Sequence, residues 1–230
     1  MRQLGAAQIA DALRDEVLAG RLPAGRDFTV KEIAEQYGVS ATPVREALVD
    51  LSAQGLLDVE QHRGFRVRVF TPDDYRAMIE ARTLVIEGVL RRSAAVVLPG
   101  AERLASVRRR AEAAEQAALA GDLDVLIGYD LRFWRELGGL VGNPYISDFL
   151  DRMRVQCWVF TVPYLRRQPE LKGVLWAGYR ELVDAVERRD SAAAERVFAA
   201  FDEHSLALVE KLGGAALRCS GHRPSSRPPS

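Results

Sequence analysis

Histidine is scarce in this sequence. Three are present in 230 residues, at His62, His204 and His222. Cysteine is scarcer, with Cys157 and Cys219 alone and far apart. Two distant cysteines can form neither a metal knuckle nor a disulfide scaffold, which fits a reducing cytoplasm. No stretch approaches the ~18 consecutive apolar residues that would span a bilayer. The N-terminus has no secretory signal pattern, so the chain is read as cytoplasmic and free of the membrane. Net charge is also missing, since 32 Lys+Arg balance 32 Asp+Glu. A nucleic-acid surface would therefore have to be local. The second half holds no phosphate loop and no activated Ser or Cys arrangement, so the chain is not read as an enzyme.

What is present is helical punctuation. Ile9, Leu13 and Val17 recur every four residues and predict a first amphipathic helix, ended by "GRLPAG" at 20–25. In "TVKEIAEQYGV", Thr29 and Glu32 form a capping box, and Gly38 stops the short helix that follows. "SATPVREALVDLSAQGLL" then opens with Ser40 as N-cap and Pro43 in the first turn, where its missing N–H costs nothing. Val44, Ala47, Leu48 and Leu51 are its buried face. Two short helices joined at Gly38-Val39-Ser40 predict a helix-turn-helix. Residues 56–70 alternate as two short strands with a turn at Arg63-Gly64, which adds a wing.

Residues 1–70 are thus a winged helix-turn-helix. Its second helix leaves Ala41, Thr42 and Arg45 exposed at the end that meets base edges in a major groove. Arg63, Arg66 and Arg68 give the wing a positive patch, although residues 1–70 hold nine Lys/Arg against ten Asp/Glu.

From residue 71 onward no strand pattern occurs. "TPDD" at 71–74 starts a helix, and breaks at 98–101, 120–122, 142–144, 167–170 and 188–191 divide the rest. That predicts an antiparallel all-α bundle of about six helices over 71–213, so the fold is mostly α. Residues 214–230 are Ser/Pro/Arg-rich and read as a disordered basic tail. Along the bundle the buried seams carry two charges. Arg82 shares a stripe with Ile79, Ile86 and Val89; Asp130 shares one with Leu123, Ile127, Trp134, Leu137 and Val141. Trp176 and Tyr179, then Phe198 and Phe201, continue the seam. A buried charge needs a partner, and an Arg82–Asp130 pair is expected.

The segment "IAEQYGVSATPVREALVDLSAQGLLDVEQHRGFRV" resembles the DNA-binding domain of the GntR family of bacterial transcription regulators. "TPVREAL" followed at this distance by "RG" is its most specific part. The resemblance implies a homodimer, expected to be a repressor, on a palindromic operator in double-stranded DNA. Lys31, Ser40, Ala41, Thr42 and Arg45 would face the DNA, with Arg63 and Gly64 at the wing tip. The family commonly has Arg where this chain has Ala41. An Arg there can grip guanine bidentately, whereas Ala can touch only a thymine methyl. Base preference at that position is expected to change by about 1–3 kcal/mol per half-site, and an Ala41→Arg variant in a binding-site selection tests this.

The all-α half resembles the FCD ligand-binding domain of the FadR subfamily, through "ARTLVIE" (81–87), "DLRFW…GN" and "YRELVDAVERRDSAAAERVFAAF". In metal-binding members an Asp and three His hold a divalent cation that grips carboxylate effectors. By motif those ligands fall on Asp130, Trp134, Tyr179 and Phe201. The resemblance thus implies the carboxylate without the imidazoles. Trp and Phe cannot ligate, and neutral Tyr is a poor ligand. His204, three residues past Phe201, could supply one ligand but not three. No metal and no cofactor are expected. Arg82, Asp130, Trp134, Tyr179 and Phe201 are expected to bind a small-molecule effector of acyl or aromatic type. The alternative is a DNA-binding dimer whose bundle has lost sensing and only dimerises; a filled seam would favour it.

Overall fold

The computed structural model describes residues 4–60, 64–93 and 101–220. The head comprises α1 (Ala6–Leu18), β1 (Asp27–Phe28), α2 (Val30–Tyr37), α3 (Ala41–Ala53), β2 (Leu57–Glu60) and β3 (Gly64–Val67). Six helices follow: α4 (Pro72–Ser93), α5 (Ala101–Ala120), α6 (Leu123–Gly139), α7 (Pro144–Leu165), α8 (Tyr179–Glu187) and α9 (Ser191–Ser220). The expected architecture, a winged helix-turn-helix ahead of an all-α bundle of about six helices, is the one observed among the described residues.

Local chemistry sets the ends of the elements. Thr29 Oγ1 accepts from Glu32 N while the Glu32 carboxylate accepts from Thr29 N, which closes the capping box of α2. Gly38 takes the left-handed conformation between α2 and α3, with φ +63°. Ser40 occupies the N-cap of α3, but its side chain makes no capping hydrogen bond. Thr71 and Asp74 form a second reciprocal cap at the start of α4, so the bundle begins directly behind the wing.

The hairpin has an extra strand. β1 pairs antiparallel with β3, which also pairs with β2, in the order β1-β3-β2. Two residues, Asp27 and Phe28, are too short for an alternation pattern to be recognised. The pairing explains Gly64: a Cβ there would lie 2.5 Å from the Phe28 carbonyl oxygen, at a φ of +99°. It also changes the reading of the wing. Arg66 is bound by Asp27 at 2.6 Å and Glu60 at 3.1 Å, so its charge is neutralised within the sheet rather than adding to a positive patch. Arg63 lies outside the described residues.

One continuous cluster of buried residues runs from Ile9 to Val209 through head and bundle alike. The helix that joins them is α7. Every residue from Arg154 to Val162 is buried, as expected for a helix covered all round. One side of α7 packs on α6 and α4, and it also meets α1 of the head. There Gln156 Nε2 donates to the Gln54 carbonyl at the end of α3 (2.7 Å), and Arg166 Nη2 donates to the Leu18 carbonyl at the end of α1 (3.3 Å). At the other end of the chain α9 runs to Ser220, so residues 214–220, assigned to a disordered tail on composition, continue the helix. Residues 221–230 lie outside the described residues, as does His222.

Candidate functional site

Two surfaces carry the residues singled out in the sequence. On the head, the capping box and the Gly38 turn place α2 and α3 side by side. Lys31 from α2 and Ala41 and Arg45 from α3 line one open surface cleft of about 500 Å³, together with Val30, Ala34, Glu35, Gly38 and Val39. Ser40 and Thr42 flank Ala41 and are exposed, as is Arg45. Lys31 lies 3.8 Å from Glu35, both exposed, a contact too loose to withhold its charge. Gly64 sits against the backbone of Phe28 and Thr29, which carries the wing beside the start of α2.

In the bundle the centre is Asp130, which is 0% exposed. Its partner is Arg154 of α7, not Arg82. Arg154 Nε donates to Oδ2 at 2.6 Å, and its Nη2 donates to Oδ1 in a second short contact. Three neutral donors complete the shell. Trp134 Nε1 donates to Oδ1 at 3.0 Å, Tyr179 OH to Oδ1 at 2.7 Å, and Trp158 Nε1 to Oδ2 at 2.6 Å. Five hydrogen bonds converge on a group with about four lone-pair sites, so Asp130 is saturated.

Aromatic rings wall the ion pair. The Arg154 guanidinium lies 5.6 Å from the Trp134 ring, 5.2 Å from Trp158 and 5.0 Å from Phe201. Trp134 stacks on Phe201 at 5.3 Å, and Trp176 packs on Phe201 at 4.7 Å and on Tyr179 at 4.6 Å. Burial works against the Arg154 charge, but the Asp130 carboxylate and its hydrogen bonds outweigh it and hold the guanidinium above its ordinary value. Burial, reinforced by the Asp130 charge, pushes the Tyr179 hydroxyl well up and keeps it a donor.

Arg82 is buried, as its seam position implies, but it belongs to a different pair. α4 packs against α9 and α7, whereas α6 packs against α5 and α7. The carboxylate that α4 meets is therefore Asp202 of α9, which takes a short contact from Arg82 Nη2 and accepts from Thr83 Oγ1 at 2.5 Å. The Arg82 guanidinium also stacks over the Phe201 ring at 4.4 Å. The expected Arg82–Asp130 bridge is thus replaced by two bridges, Arg154–Asp130 and Arg82–Asp202, that share Phe201.

The sequence reading missed Arg154, Trp158 and Asp202. Arg154 and Trp158 stand one turn apart, the spacing that drew attention to Asp130 and Trp134. On α7, however, apolar residues surround them on every side, so no single stripe marks them as inward.

These residues do not fit a divalent cation. Both Asp130 oxygens are filled, a guanidinium occupies their front, and rings stand at the three other ligand positions. Among the described residues no group of three or more His, Cys, Asp or Glu could hold a metal ion. His204 packs beside Tyr75, Cys157 and Trp176 around a small cavity of about 50 Å³, and its burial pushes its pKa below the usual value. A second, far larger cavity of about 730 Å³ is also bounded by Phe201. Arg82 and Trp134 line the large cavity, Tyr179 lines the small one, Arg154 and Phe201 line both, and Asp130 lines neither. Among the described residues no helix is long and apolar enough to cross a membrane.

Comparison with known proteins places both halves. Residues 6–67 match the bacterial regulatory proteins of the gntR family, and residues 77–203 match the FCD domain. A probable D-xylose utilization operon transcriptional repressor of Paenarthrobacter nicotinovorans is 31% identical over 190 residues, covering 83% of this chain and 82% of that protein. The transcriptional regulator McbR of Escherichia coli is 26% identical over 210 residues, covering 88% and 91%. Its solved structure superposes with a TM-score of 0.75 at 21% identity, over 90% of this chain and 97% of that one. A GntR regulator from Rhodococcus sp. RHA1 gives a TM-score of 0.64 at 22% identity, over 90% and 97%. This chain therefore belongs to the gntR family of bacterial regulatory proteins: a DNA-binding regulator with an FCD domain behind its winged head.

Proposed function

We propose that this protein is a cytoplasmic, homodimeric repressor of the FadR type whose bundle responds to a small molecule without a metal. Lys31, Ser40, Ala41, Thr42 and Arg45, with Arg63 and Gly64 of the wing, meet a palindromic operator. The observation that carries the metal-free reading is the Asp130–Arg154 pair inside its ring of indoles and phenol. Arg154 supplies, from within the chain, the positive charge that a cation would bring to the carboxylate. Displacing Arg154 from Asp130 to admit a metal would strand its guanidinium among rings, which is costly. Repression is supported by the relative described as a probable D-xylose utilization operon transcriptional repressor.

The competing reading, a bundle that only dimerises, is favoured by the filled box at Asp130 and by the small cavity, about 50 Å³, beside His204. The 730 Å³ cavity beside it favours sensing. Thermal unfolding with zinc or nickel and with a chelator tests the metal-free reading. Equal melting temperatures in all three, and no metal stoichiometry in the purified protein, are expected. A stoichiometric metal that raises the melting temperature and is lost in Asp130→Asn would sink it.

A further inference from the structure

The open cleft between α2 and α3 has apolar walls and charged neighbours. Val30, Ala34 and Val39 line it, are half-buried and pack against the core, so their positions are fixed. Ala41 adds an exposed methyl group at the first turn of α3. None of these four side chains carries a hydrogen-bond donor or acceptor. Lys31, Glu35 and Arg45 line the same cleft and are exposed. The two cations attract a duplex to this face. What the cleft accepts is then set by its walls.

The base edges of the major groove differ in what they present. Guanine shows two acceptors, N7 and O6; adenine shows an acceptor and an amine; cytosine shows an amine. Thymine shows an acceptor and a methyl group at C5, the one apolar group among the four bases in that groove. Walls without a donor would leave both guanine acceptors unmet after they lose their water, which is costly. The Glu35 carboxylate only accepts, so it too turns away a guanine edge, and it repels a phosphate. An adenine or cytosine amine could turn to Glu35, but would leave the apolar walls facing water. A methyl group asks for no hydrogen bond and gains by leaving water.

We infer that this cleft receives the C5 methyl group of one thymine in each operator half-site, held against Ala34, Val39 and Ala41. This reading role rests on the operator binding proposed above and deepens it, because it names the group that the short side chain of Ala41 meets. Arg45 follows Ala41 by one turn on the same face of α3, so it meets a base close to that thymine.

Uracil is thymine without the methyl group and tests the cleft directly. The full chain first selects its operator from random duplex DNA. Each thymine of the selected site is then replaced by deoxyuridine in both half-sites at once, and affinity is measured by fluorescence anisotropy at fixed salt concentration. Burying one methyl group is worth about fourfold in affinity, so one such position should lose about fifteenfold over both half-sites. Cytosine and 5-methylcytosine at that position form a second pair that differs only in the methyl group, and the methylated duplex should bind more tightly by a similar factor. A double variant, Val39→Thr with Ala41→Ser, makes the walls polar at nearly constant volume and should bring both ratios below about twofold. Both pairs of duplexes are read on the parent protein, so the test stands even where the variant folds poorly. Full affinity for uracil at every position, equal binding of cytosine and 5-methylcytosine, or ratios that persist in a folded double variant would each overturn the assignment. If an operator is selected and uracil replaces thymine without loss, the cleft reading fails and the regulator stands. If no duplex is selected, the operator reading itself fails.

Discussion

Arg154→Met is expected to destabilise the protein by about 3–5 kcal/mol, because it leaves a fully buried carboxylate without its cation. The loss is a large share of the roughly 5–15 kcal/mol that holds a typical domain together. Asp130→Leu should cost at least as much. It strands the Arg154 guanidinium and also orphans the indole N–H groups of Trp134 and Trp158 and the hydroxyl of Tyr179. The double variant makes the argument sharper. Removing both members of a buried ion pair is often close to neutral. Here it removes the unpaired charge but still leaves three buried donors, at about 1–3 kcal/mol each. The double variant should therefore be more stable than Asp130→Leu alone, yet clearly less stable than the parent. Urea unfolding measures all three. An Arg154→Met protein within about 1 kcal/mol of the parent would show that the cluster does not hold the bundle together.

That cluster also shows where sequence reading stops. Asp130 and Trp134 were legible because α6 has one apolar stripe and both lie on it. Tyr179 and Phe201 were legible through the same periodicity. The partner of Asp130 was not, because α7 is wrapped on all sides and its periodicity carries no direction. With α7 silent, Arg82 was the only inward cation left to propose, and it went to the wrong carboxylate. Asp202 was hidden by its position one residue past the seam at Phe201, where it reads as a solvated flank. In the head, by contrast, almost every boundary was marked by a residue with a mechanism: Thr29 and Glu32, Gly38, Pro43, Thr71 and Asp74. What was missed there, β1, is two residues long and exists through its pairing with β3. That pairing also withdraws Arg66 from the wing's positive charge, a fact that composition cannot reveal.

With Arg66 neutralised, the cationic reach of the described head towards DNA rests more heavily on α2 and α3, and Arg45 stands out. It is exposed on the first turns of α3, and among the described residues no carboxylate forms a salt bridge with it. Its neighbours Ala41 and Thr42 are too short to reach far across a groove. Arg45→Ala is therefore expected to weaken operator binding by about 1–3 kcal/mol per half-site, and to relax preference at the base it meets if the contact is to guanine. Lys31→Ala should behave differently. A lysine on the first turn of α2 suits a phosphate, so its loss should weaken binding evenly across sequences and lower the salt slope by about one per contact. Titrations of each variant against operator and scrambled DNA, at several salt concentrations, separate the two roles. Because both side chains are exposed, neither substitution should change the stability by more than about 0.5 kcal/mol. A loss of operator binding that tracks lost stability would assign Arg45 to the fold. Full binding by a folded Arg45→Ala protein would move the reading surface off the start of α3.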